Sequence, residues 1–412
     1  MTSQLPVTFH PKSTHLLPST DFDIIIIGGG LAGLSLSCLL GQITGWNIAC
    51  LDKDSPETQI KSDLRTTAIS YGSAQILDQA GIWNTLEPLG CPIRDIEILD
   101  GDSPTLLQFL SSEVEDKSFG WILSNTDIRK TLMNKINSLK NMDHIAPANV
   151  RNFNVTEEKA EITLDNGKTL SAKLIIGADG RQSSVRDFMD VHVRGWNYHQ
   201  SAIVCFIKHE HPHQNKAIEH FWPSGPFAIL PMNDDEDGNH RSSLVFTEHD
   251  RSRNSLMNLS DKDFLSEVQS RFPEFYGHVE IIDNKRMKFP LSLTHAADYI
   301  APRMVLVADA AHGIHPIAGQ GLNLGFRDIG ELANLLKNAY EDSTDPATPE
   351  LLETYQRRRR PDNMAMVAVT DGLVRLFSND IPPVRLLRRY GLKTVSRLGI
   401  AKKFFMRRAM GE

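Results

Sequence analysis

The sequence predicts an α/β fold in which a discontinuous Rossmann-like domain is combined with an antiparallel β-sheet domain and a C-terminal helical segment. Three observations predict it. Short apolar runs end in glycine-containing loops near residues 28, 177 and 309, as buried parallel strands do at the ligand edge of a sheet. Strand-like runs occupy residues 201–247. Residues after about 345 are helical by period, apart from a break at Pro382 and Pro383.

The first glycine loop carries a dinucleotide-binding fingerprint, in G-x-G-x-x-G spacing between an apolar strand and a mostly apolar helix. Its first glycine permits a tight turn, the second lets a pyrophosphate approach the backbone, and the third lets the helix pack on the strand. A second apolar strand ends about 20 residues later in a carboxylate that can accept the hydroxyls of an adenosine ribose. A glycine-rich turn is the alternative. The predicted cofactor contacts of this unit are Gly28, Gly30, Leu31, Ala32, Gly33, Asp52 and Lys53.

Two further loops identify the dinucleotide. One apolar strand delivers Asp179 between two glycines, and another leads to Asp309, a glycine-rich loop and a helix. With the fingerprint, these loops resemble the three-part FAD signature of flavin monooxygenases related to 4-hydroxybenzoate hydroxylase. The resemblance implies bound FAD, with Asp179 beside the pyrophosphate and Asp309 on the ribityl chain. Ala308 stands where that family usually has glycine, and a turn former and a helix cap are the alternative roles of the two aspartates.

The resemblance narrows to the Ubi/Coq flavin hydroxylases of ubiquinone biosynthesis and covers nearly the whole chain from residue 22. Its markers are residues 217–221, 225–231, 289–291, 315–325, 357–360, 370–373 and 376–377, with Asp328, Tyr355 and Asp362. The resemblance implies that O2 and a flavin C4a-hydroperoxide hydroxylate the aromatic ring of a polyprenylated phenol. Since only one G-x-G-x-x-G unit is present, it also implies transient NAD(P)H or a separate reductase as the electron donor.

Two other functions remain open on the sequence. One is hydroxylation of a small soluble aromatic acid, which would need an Arg or Tyr for the carboxylate. The other is a flavin-holding scaffold subunit of a quinone-synthesis complex. Aromatic residues enrich the predicted substrate sheet in apolar surface suited to a prenyl tail, although core packing explains most of them: Phe206, Phe221, Trp222, Phe227 and Phe246.

The loop that opens the helix near residue 322 is the predicted site of the flavin ring. Gly319, Gln320 and Gly321 are placed to present backbone N–H groups to the anion of the reduced ring, and Pro316 stiffens the loop. These four residues are the predicted catalytic group. Gly321, with Leu322 and Asn323 after it, is also a predicted cofactor contact.

Two arginines and three weaker candidates complete the predicted site. Arg65 matches the family arginine that reaches the flavin phosphates, for which a bidentate guanidinium is suited, and a surface ion pair is the alternative. Arg129 matches a similar, less specific position. No base for the phenol is secure, since His220 and Glu219 are only candidates on the predicted substrate wall. His315 fits proton shuttling and packing equally.

Composition agrees with an ordinary globular protein, since 41% of its 412 residues are hydrophobic and no run is long enough to span a bilayer. The four cysteines form no C-x-x-C pair, which argues against a dithiol flavoprotein and for a reducing cytosol. Among fifteen histidines, the alternating His209, His211 and His213 favour a solvated loop, and no metal is predicted. The sequence thus predicts a cytoplasmic protein.

The predicted domains follow from these motifs. Residues 1–21 form a flexible leader, 22–185 the first parts of the Rossmann-like FAD-binding domain, and 186–284 the antiparallel β-sheet substrate domain. Residues 285–345 complete the FAD-binding domain, and 346–412 form the C-terminal helical, basic segment.

The end of the chain is strongly basic. Residues 381–412 hold nine Lys or Arg against Glu412 alone, in a chain of net charge −7. Apolar residues interleave with these cations at roughly helical spacing, which indicates either an interfacial helix on the inner membrane or in a complex with other ubiquinone-biosynthesis proteins, or a solvated helix on the flavin domain. No nucleic-acid partner is predicted, because the rest of the chain is acidic and lacks a recognition motif.

Overall fold

The computed structural model describes residues 21–63, 65–101, 107–222, 224–250, 255–283, 285–315, 319–377 and 399–411, with Pro383 and Gly391. Nearly all of the predicted leader lies outside these residues. So do Pro316 and most of residues 381–398.

The described part of the chain alternates strands and helices. In chain order the strands are β1 (Asp21–Ile27), β2 (Ile48–Leu51), β3 (Thr66–Ser70), β4 (Cys91–Ile93), β5 (Asp95–Asp100), β6 (Leu107–Leu110), β7 (Gly120–Ser124), β8 (Met142–Ile145), β9 (Val150–Val155), β10 (Ala160–Leu164), β11 (Thr169–Gly177), β12 (Val193–His209), β13 (Lys216–Trp222), β14 (Gly225–Met232), β15 (His240–His249), β16 (Val279–Ile281), β17 (Met287–Ala296), β18 (Ile300–Ala301), β19 (Met304–Leu306) and β20 (His312–Gly313). The helices are α1 (Leu31–Ile43), α2 (Pro56–Ser62), α3 (Tyr71–Gln79), α4 (Trp83–Leu86), α5 (Asn125–Ser138), α6 (Ser184–Phe188), α7 (Asp261–Arg271), α8 (Gln320–Glu341), α9 (Pro349–Phe377) and α10 (Gly399–Met410).

The first sheet is the core of the Rossmann-like domain. Its path is β18-β19-β11-β1-β2-β8, and β10 joins β9 to β11. Strand β1 is parallel to β11 and to β2, β2 is parallel to β8, and β11 is parallel to β19. The isoleucines of β1 are almost fully buried, because helices cover both faces of a parallel sheet. The predicted hairpin between β10 and β11 is confirmed by their antiparallel register.

The second sheet runs β20-β17-β12-β15-β14-β13-β5-β6, with β16 beside β12. It contains the predicted substrate strands β12, β14 and β15. It also contains β5 and β6, which lie in segment 22–185, and β17, which lies in segment 285–345. These strands therefore belong to the second sheet although the predicted boundaries assign their segments to the FAD-binding domain. The reason is pairing that spacing does not reveal: β5 lies parallel to β13, and β17 antiparallel to β12.

Two smaller features complete the frame. A short antiparallel sheet, β3-β7-β4, lies between the larger ones. Helix α10 packs Met406 and Met410 into a buried cluster with Phe119 and Ile122 of that region. No helix in the described ranges is long and apolar enough to cross a membrane.

The cysteines and histidines behave as core residues. All four thiols are free and buried, as predicted. His209, at the end of β12, and His213, in the loop after it, are buried rather than solvated, whereas His211 between them is exposed as predicted. His209 contacts the His211 carbonyl at 2.7 Å, and His213 contacts that of Met232 at 2.8 Å. Among the described residues, no group of three or more His, Cys, Asp or Glu side chains could hold a metal ion.

Candidate active site

The first two glycine loops touch each other at Gly28. Its φ is +110°, and a Cβ there would lie 2.3 Å from the carbonyl oxygen of Ala178. A Cβ at Gly33 would lie 1.8 Å from the carbonyl oxygen of Gly28. Both positions therefore require glycine, because any side chain would push the loops apart.

The start of α1 is shaped for an anion. Gly30 is the N-cap, makes no side-chain hydrogen bond, and has nothing within 4 Å of an added Cβ. The first N–H groups of α1, at Leu31, Ala32 and Gly33, have no partner within the helix and point along its positive end. This open cradle fits a pyrophosphate.

Asp52 is tied to the same loop. Its Oδ2 accepts the Gly29 N–H at 2.6 Å, and its Oδ1 accepts the N–H of Asp54 at 2.8 Å. The carboxylate is half-buried at the end of β2, and Lys53 beside it is exposed. Asp52 thus shapes the loop and retains acceptor capacity for a ribose, which stays a prediction.

The two predicted arginines lie on either side of this loop. Arg129 is buried and its Nη1 donates to the Gly29 carbonyl at 2.9 Å and to Gln59 Oε1 at 2.7 Å. Arg65 is more exposed, forms a bidentate pair with Asp63 at 2.7 and 2.9 Å, and lies over the Phe289 ring. The hydrogen bonds that Arg65 donates to Asp63 raise the pKa of Arg65, and the charge of Asp309 acts in the same direction.

Asp179 has a local role in the structure, and its predicted contact with the pyrophosphate stays a prediction. Its Oδ2 accepts hydrogen bonds from Ser184 N at 2.7 Å and Val185 N at 3.3 Å, which holds the start of α6. Its Oδ1 is buried and has no hydrogen-bond partner among the described residues. A buried acceptor without a donor is costly, so this oxygen fits contact with a bound group.

Arg181, which the sequence analysis did not select, joins the second and third loops. Its Nε lies 3.2 Å from Asp309 Oδ2, its Nη1 donates to Ser292 of β17 at 3.0 Å, and its Nη2 donates to the Ile314 carbonyl at 3.0 Å. Its position directly after the glycine loop around Asp179 is the sequence signal that could have found it.

The third loop carries Asp309, whose side chain is 42% exposed. The preceding Ala308 has φ = +53°, a left-handed conformation that favours glycine. This conformation explains why the resembling family has glycine at that position. The strain is offset by a hydrogen bond from the Ala308 N–H to the buried Asp328 at 3.1 Å.

The N-terminus of α8 follows the same loop. Gly319 is its N-cap, with φ = +64° and no side-chain cap, so the N–H groups of Gln320, Gly321 and Leu322 lack helical partners. Asn323 is buried, and its amide binds Ser70 N, Ser73 Oγ and the carbonyls of Ala68 and Gly319 at 2.8–3.0 Å. The Asn323 side chain therefore holds the helix start in place, which leaves its backbone for the predicted cofactor contact.

Gly321 offers a clean test of this loop. A Cβ at Gly321 would meet nothing closer than Ile314 Cγ1 at 4.0 Å, so the protein can accommodate a side chain there. We expect Gly321→Val to lower hydroxylation several-fold without lowering the melting temperature, because only the bound ring is obstructed. Gly319→Val should lower both, since its φ disfavours a β-branched residue. Normal single-turnover hydroxylation by the Gly321 variant would contradict the placement of the ring.

A buried ionic network supports the third loop from behind. Asp328 is fully buried on α8 and binds His312 Nε2 at 2.5 Å, Arg359 Nε at 2.8 Å and Asn363 Nδ2 at 3.1 Å. Burial alone would raise the pKa of Asp328, but His312 and then Arg359 lower it to about 2. The network joins α8 and α9 to the loop that carries Asp309.

The second sheet turns one face towards this loop. Thr66 Oγ1 donates to Ser243 Oγ of β15 at 2.9 Å, and the Tyr198 ring of β12 lies edge-on to His315 with centroids 5.0 Å apart. Phe221 stacks on Phe377 of α9 at 3.9 Å. We call Tyr198, Phe221, Leu373, Val374 and Phe377 the apolar wall.

The arrangement fits FAD. Three loops meet around an open helix start, a buried acceptor without a donor faces them, and a second helix start lies across from an apolar wall. Residues 28–33, Asp179, Asp309 and residues 319–323 lie on these loops and helix starts. Asp52, Lys53, Arg65 and Arg129 lie on other segments, and Pro316 is outside the described ranges.

The chain matches known flavoproteins along most of its length. Residues 21–370 match the family described as FAD binding domain. The chain is 41% identical to the ubiquinone hydroxylase UbiL of Rhodospirillum rubrum, covering 94% of this chain and 89% of that protein. It is 31% identical to the 3-demethoxyubiquinol 3-hydroxylase of Escherichia coli, covering 94% and 98%.

The fold also matches solved structures. The p-nitrophenol 4-monooxygenase PnpA of Pseudomonas putida superposes with a TM-score of 0.78 and 16% identity, covering 95% of this chain and 99% of that one. At that identity the likeness supports the fold. The sequence matches, with which the loop geometry agrees, show that the chain belongs to the FAD-binding-domain family and is an FAD-dependent monooxygenase related to the hydroxylases of ubiquinone biosynthesis.

Proposed function

We propose that this enzyme hydroxylates the aromatic ring of a polyprenylated phenol on the route to ubiquinone. The observation that carries the proposal is the apolar wall, which contacts the third FAD loop where the Tyr198 ring meets His315. It combines aromatic and aliphatic side chains from β12, β13 and α9, a composition that accommodates an isoprenoid better than a charged acid. Near full-length similarity to two enzymes named as ubiquinone-pathway hydroxylases supports the same substrate class.

Bound FAD would supply the oxygen-activating chemistry that ring hydroxylation needs. The residues of the chain would hold and shield it. The amides at the start of α1 would bind the pyrophosphate, Asp309 would bind the ribityl chain, and the amides at the start of α8 would neutralise charge on the reduced ring. The apolar wall orients the phenol and excludes water, which otherwise uncouples O2 consumption from product. NAD(P)H or a separate reductase supplies the electrons.

The test is hydroxylation by the purified protein. FAD is reduced photochemically, so that no donor is needed, and O2 is added with a short-tailed prenylphenol while product is followed by mass spectrometry. The proposal expects one hydroxylated product per FAD. A scaffold would release peroxide with no product, and a small-acid hydroxylase would act on 4-hydroxybenzoate but not on the prenylphenol. Deleting the gene and identifying the accumulated prenylphenol gives the position of hydroxylation.

We further propose that the enzyme is cytoplasmic and docks on the inner membrane through α10. Met406 and Met410 hold this helix on the protein, while Phe404 and Phe405 are 55% and 44% exposed. Basic residues flank the exposed rings: Lys403, Arg407 and Arg408. Exposed aromatic rings among cations suit an anionic lipid surface, where the prenylated substrate resides.

Changing the exposed rings separates docking from folding. We expect Phe404→Ser with Phe405→Ser to lower sedimentation with phosphatidylglycerol vesicles about tenfold or more, since an apolar side chain contributes roughly 1.5–3 kcal/mol on burial. Removing the whole helix is a poorer test, because it would also take the two buried methionines from the core. The matched control is Leu89→Ser, another exposed apolar side chain. Equal sedimentation of all three proteins would contradict docking through α10.

A further inference from the structure

Glu219 lies at the centre of β13 on the face that looks towards the FAD loops. Side chains alternate along a strand, so Ala217, Glu219 and Phe221 share this face. Ala217 belongs to the buried cluster of Met406 and Met410, and Phe221 belongs to the apolar wall. Glu219 thus sits between two apolar clusters that both lie inside the molecule.

His220, the other candidate base, points the opposite way. Its Nε2 contacts the Gly101 carbonyl at 2.8 Å, and its ring lies 4.7 Å from that of Trp222. Trp222 packs on the cluster around Phe264 of α7, on the outer face of the sheet. The register of β13 therefore separates the two candidates, and only Glu219 can face the substrate.

The immediate neighbours of Glu219 are apolar. Ala228 of β14 and Ile98 of β5 lie directly opposite it in the sheet. No hydrogen bond or ion pair joins Glu219 to another residue in the described parts of the chain, yet its side chain is half-buried rather than closed off. Burial raises the pKa of Glu219 to about 7.

Strand β3, through Thr66, and the third FAD loop, through His315, meet the same face of the sheet at two points. Ser243, which contacts Thr66 at 2.9 Å, lies two residues from Val245, and Val245 faces Ala228 and through it Glu219. Strand spacing puts Ser243 about 12 Å from Glu219, room for one aromatic ring between them. On the other side, Tyr198 of the apolar wall contacts His315.

We propose that Glu219 is the catalytic base that accepts the hydroxyl proton of the phenol substrate. This proposal rests on the proposed function. The phenol O–H bond breaks, its electron pair stays on the oxygen, and the proton forms an O–H bond with a Glu219 carboxylate oxygen. The negative charge moves to the phenolate, whose ring is more electron-rich and attacks the oxygen donor faster. Glu219 returns the proton to the product oxygen and is ionised again.

The other ionisable groups described around Glu219 are buried, paired or neutral. Asp100 of β5 is fully buried, and Asp371 of α9 accepts the Tyr198 hydroxyl at 3.1 Å and pairs with Arg375 at 2.8 Å. On α10, Lys402 pairs with Glu113 at 2.5 Å. Burial lowers the pKa of His315 to about 4, so His315 is neutral when Glu219 titrates. Since the base must be ionised, the rate should rise as pH increases through about 7.

The experiment is single-turnover hydroxylation of a short-tailed prenylphenol by photoreduced enzyme from pH 5.5 to 9. We expect Glu219→Gln to react at least about 100-fold more slowly than wild type, and to lose the rise in rate near pH 7. Glu219→Asp should keep the rise at an intermediate rate. The matched control, Glu280→Gln, changes an exposed glutamate of the same sheet and should behave as wild type.

A nitro-substituted analogue that ionises near pH 7 separates base catalysis from structure. Its rate should differ less than threefold between wild type and Glu219→Gln at pH 8.5, because the phenolate is already formed. Bound to oxidised enzyme, its phenolate absorbance should appear at a pH about one unit lower in the variant, because Gln removes a negative charge beside the phenolate. An unchanged rate with the prenylphenol, together with an unchanged absorbance of the analogue, would overturn the assignment of Glu219. If wild type hydroxylates no prenylphenol, the proposed function fails, and the absorbance shift still decides on Glu219.

Discussion

Asp309→Ala is expected to lose FAD while the protein stays folded. The carboxylate is 42% exposed, and it pairs with Arg181. A hydrogen bond to a charged acceptor contributes about 1.5–3 kcal/mol. Its loss therefore raises the Kd for FAD roughly 10- to 150-fold. The ratio of flavin to protein absorbance after gel filtration measures the loss, and circular dichroism checks the fold.

The control for this variant is Asp283→Ala, which removes an exposed carboxylate from the substrate sheet region. It should retain full FAD content. Stoichiometric FAD in Asp309→Ala, with an unchanged Kd, would rule out the ribityl contact.

Arg359→Met is expected to destabilise the protein by about 3–5 kcal/mol, because it leaves Asp328 buried with one cation fewer. Both side chains are buried, and Arg359 Nε binds Asp328 Oδ1 at 2.8 Å. Urea unfolding at pH 7 measures the change in the free energy of unfolding. The neighbouring Arg358→Met should cost less than about 1 kcal/mol, since its pair with Glu331 is 58% exposed on the arginine side. Similar losses in the two variants would show that the buried network does not stabilise the fold.

The same network predicts acid sensitivity. The pKa of Asp328 is lowered to about 2 in the folded protein, so its contribution to stability is present above its ordinary value near 4. That contribution is lost as the pH falls from about 4 through 2. In Arg359→Met the pKa of Asp328 should lie higher, and the acid unfolding midpoint should move to higher pH. Unfolding curves between pH 2 and 7 test the shift.

The sequence predicted what depends on neighbouring residues. Gly28 and Gly33 were readable because a strand, a turn and a helix follow one another there, and the structure gives each a steric reason to be glycine. Strands β12, β14 and β15 could be predicted from local runs of strand-forming residues. The membership of β5 and β17 in the second sheet was not, because pairing partners lie far apart along the chain.

The supporting residues of the site were harder to predict. Asn323 was selected as a cofactor contact, yet its side chain is used up by hydrogen bonds within the protein. Asp328 was noted as a family marker without a role. One local signal was available: Asp328 interrupts the buried i, i+4 series of Leu324 and Leu332, and an acid on such a stripe requires a buried partner. Its partner Arg359 could not be identified, since several arginines adjoin it in sequence.

Strand β19 has a consequence for how the protein is made. It completes the first sheet by pairing with β11, and Tyr355 of α9 then donates to the Leu306 carbonyl at 3.0 Å. The ribosome delivers β19 only after strands β12 to β17 of the second sheet have emerged, so this edge of β11 stays unpaired while residues 178–303 are made. The first sheet of the Rossmann-like domain therefore cannot be completed before residue 306 has been synthesised, and the N-terminal half of the chain alone lacks one of its parallel strands.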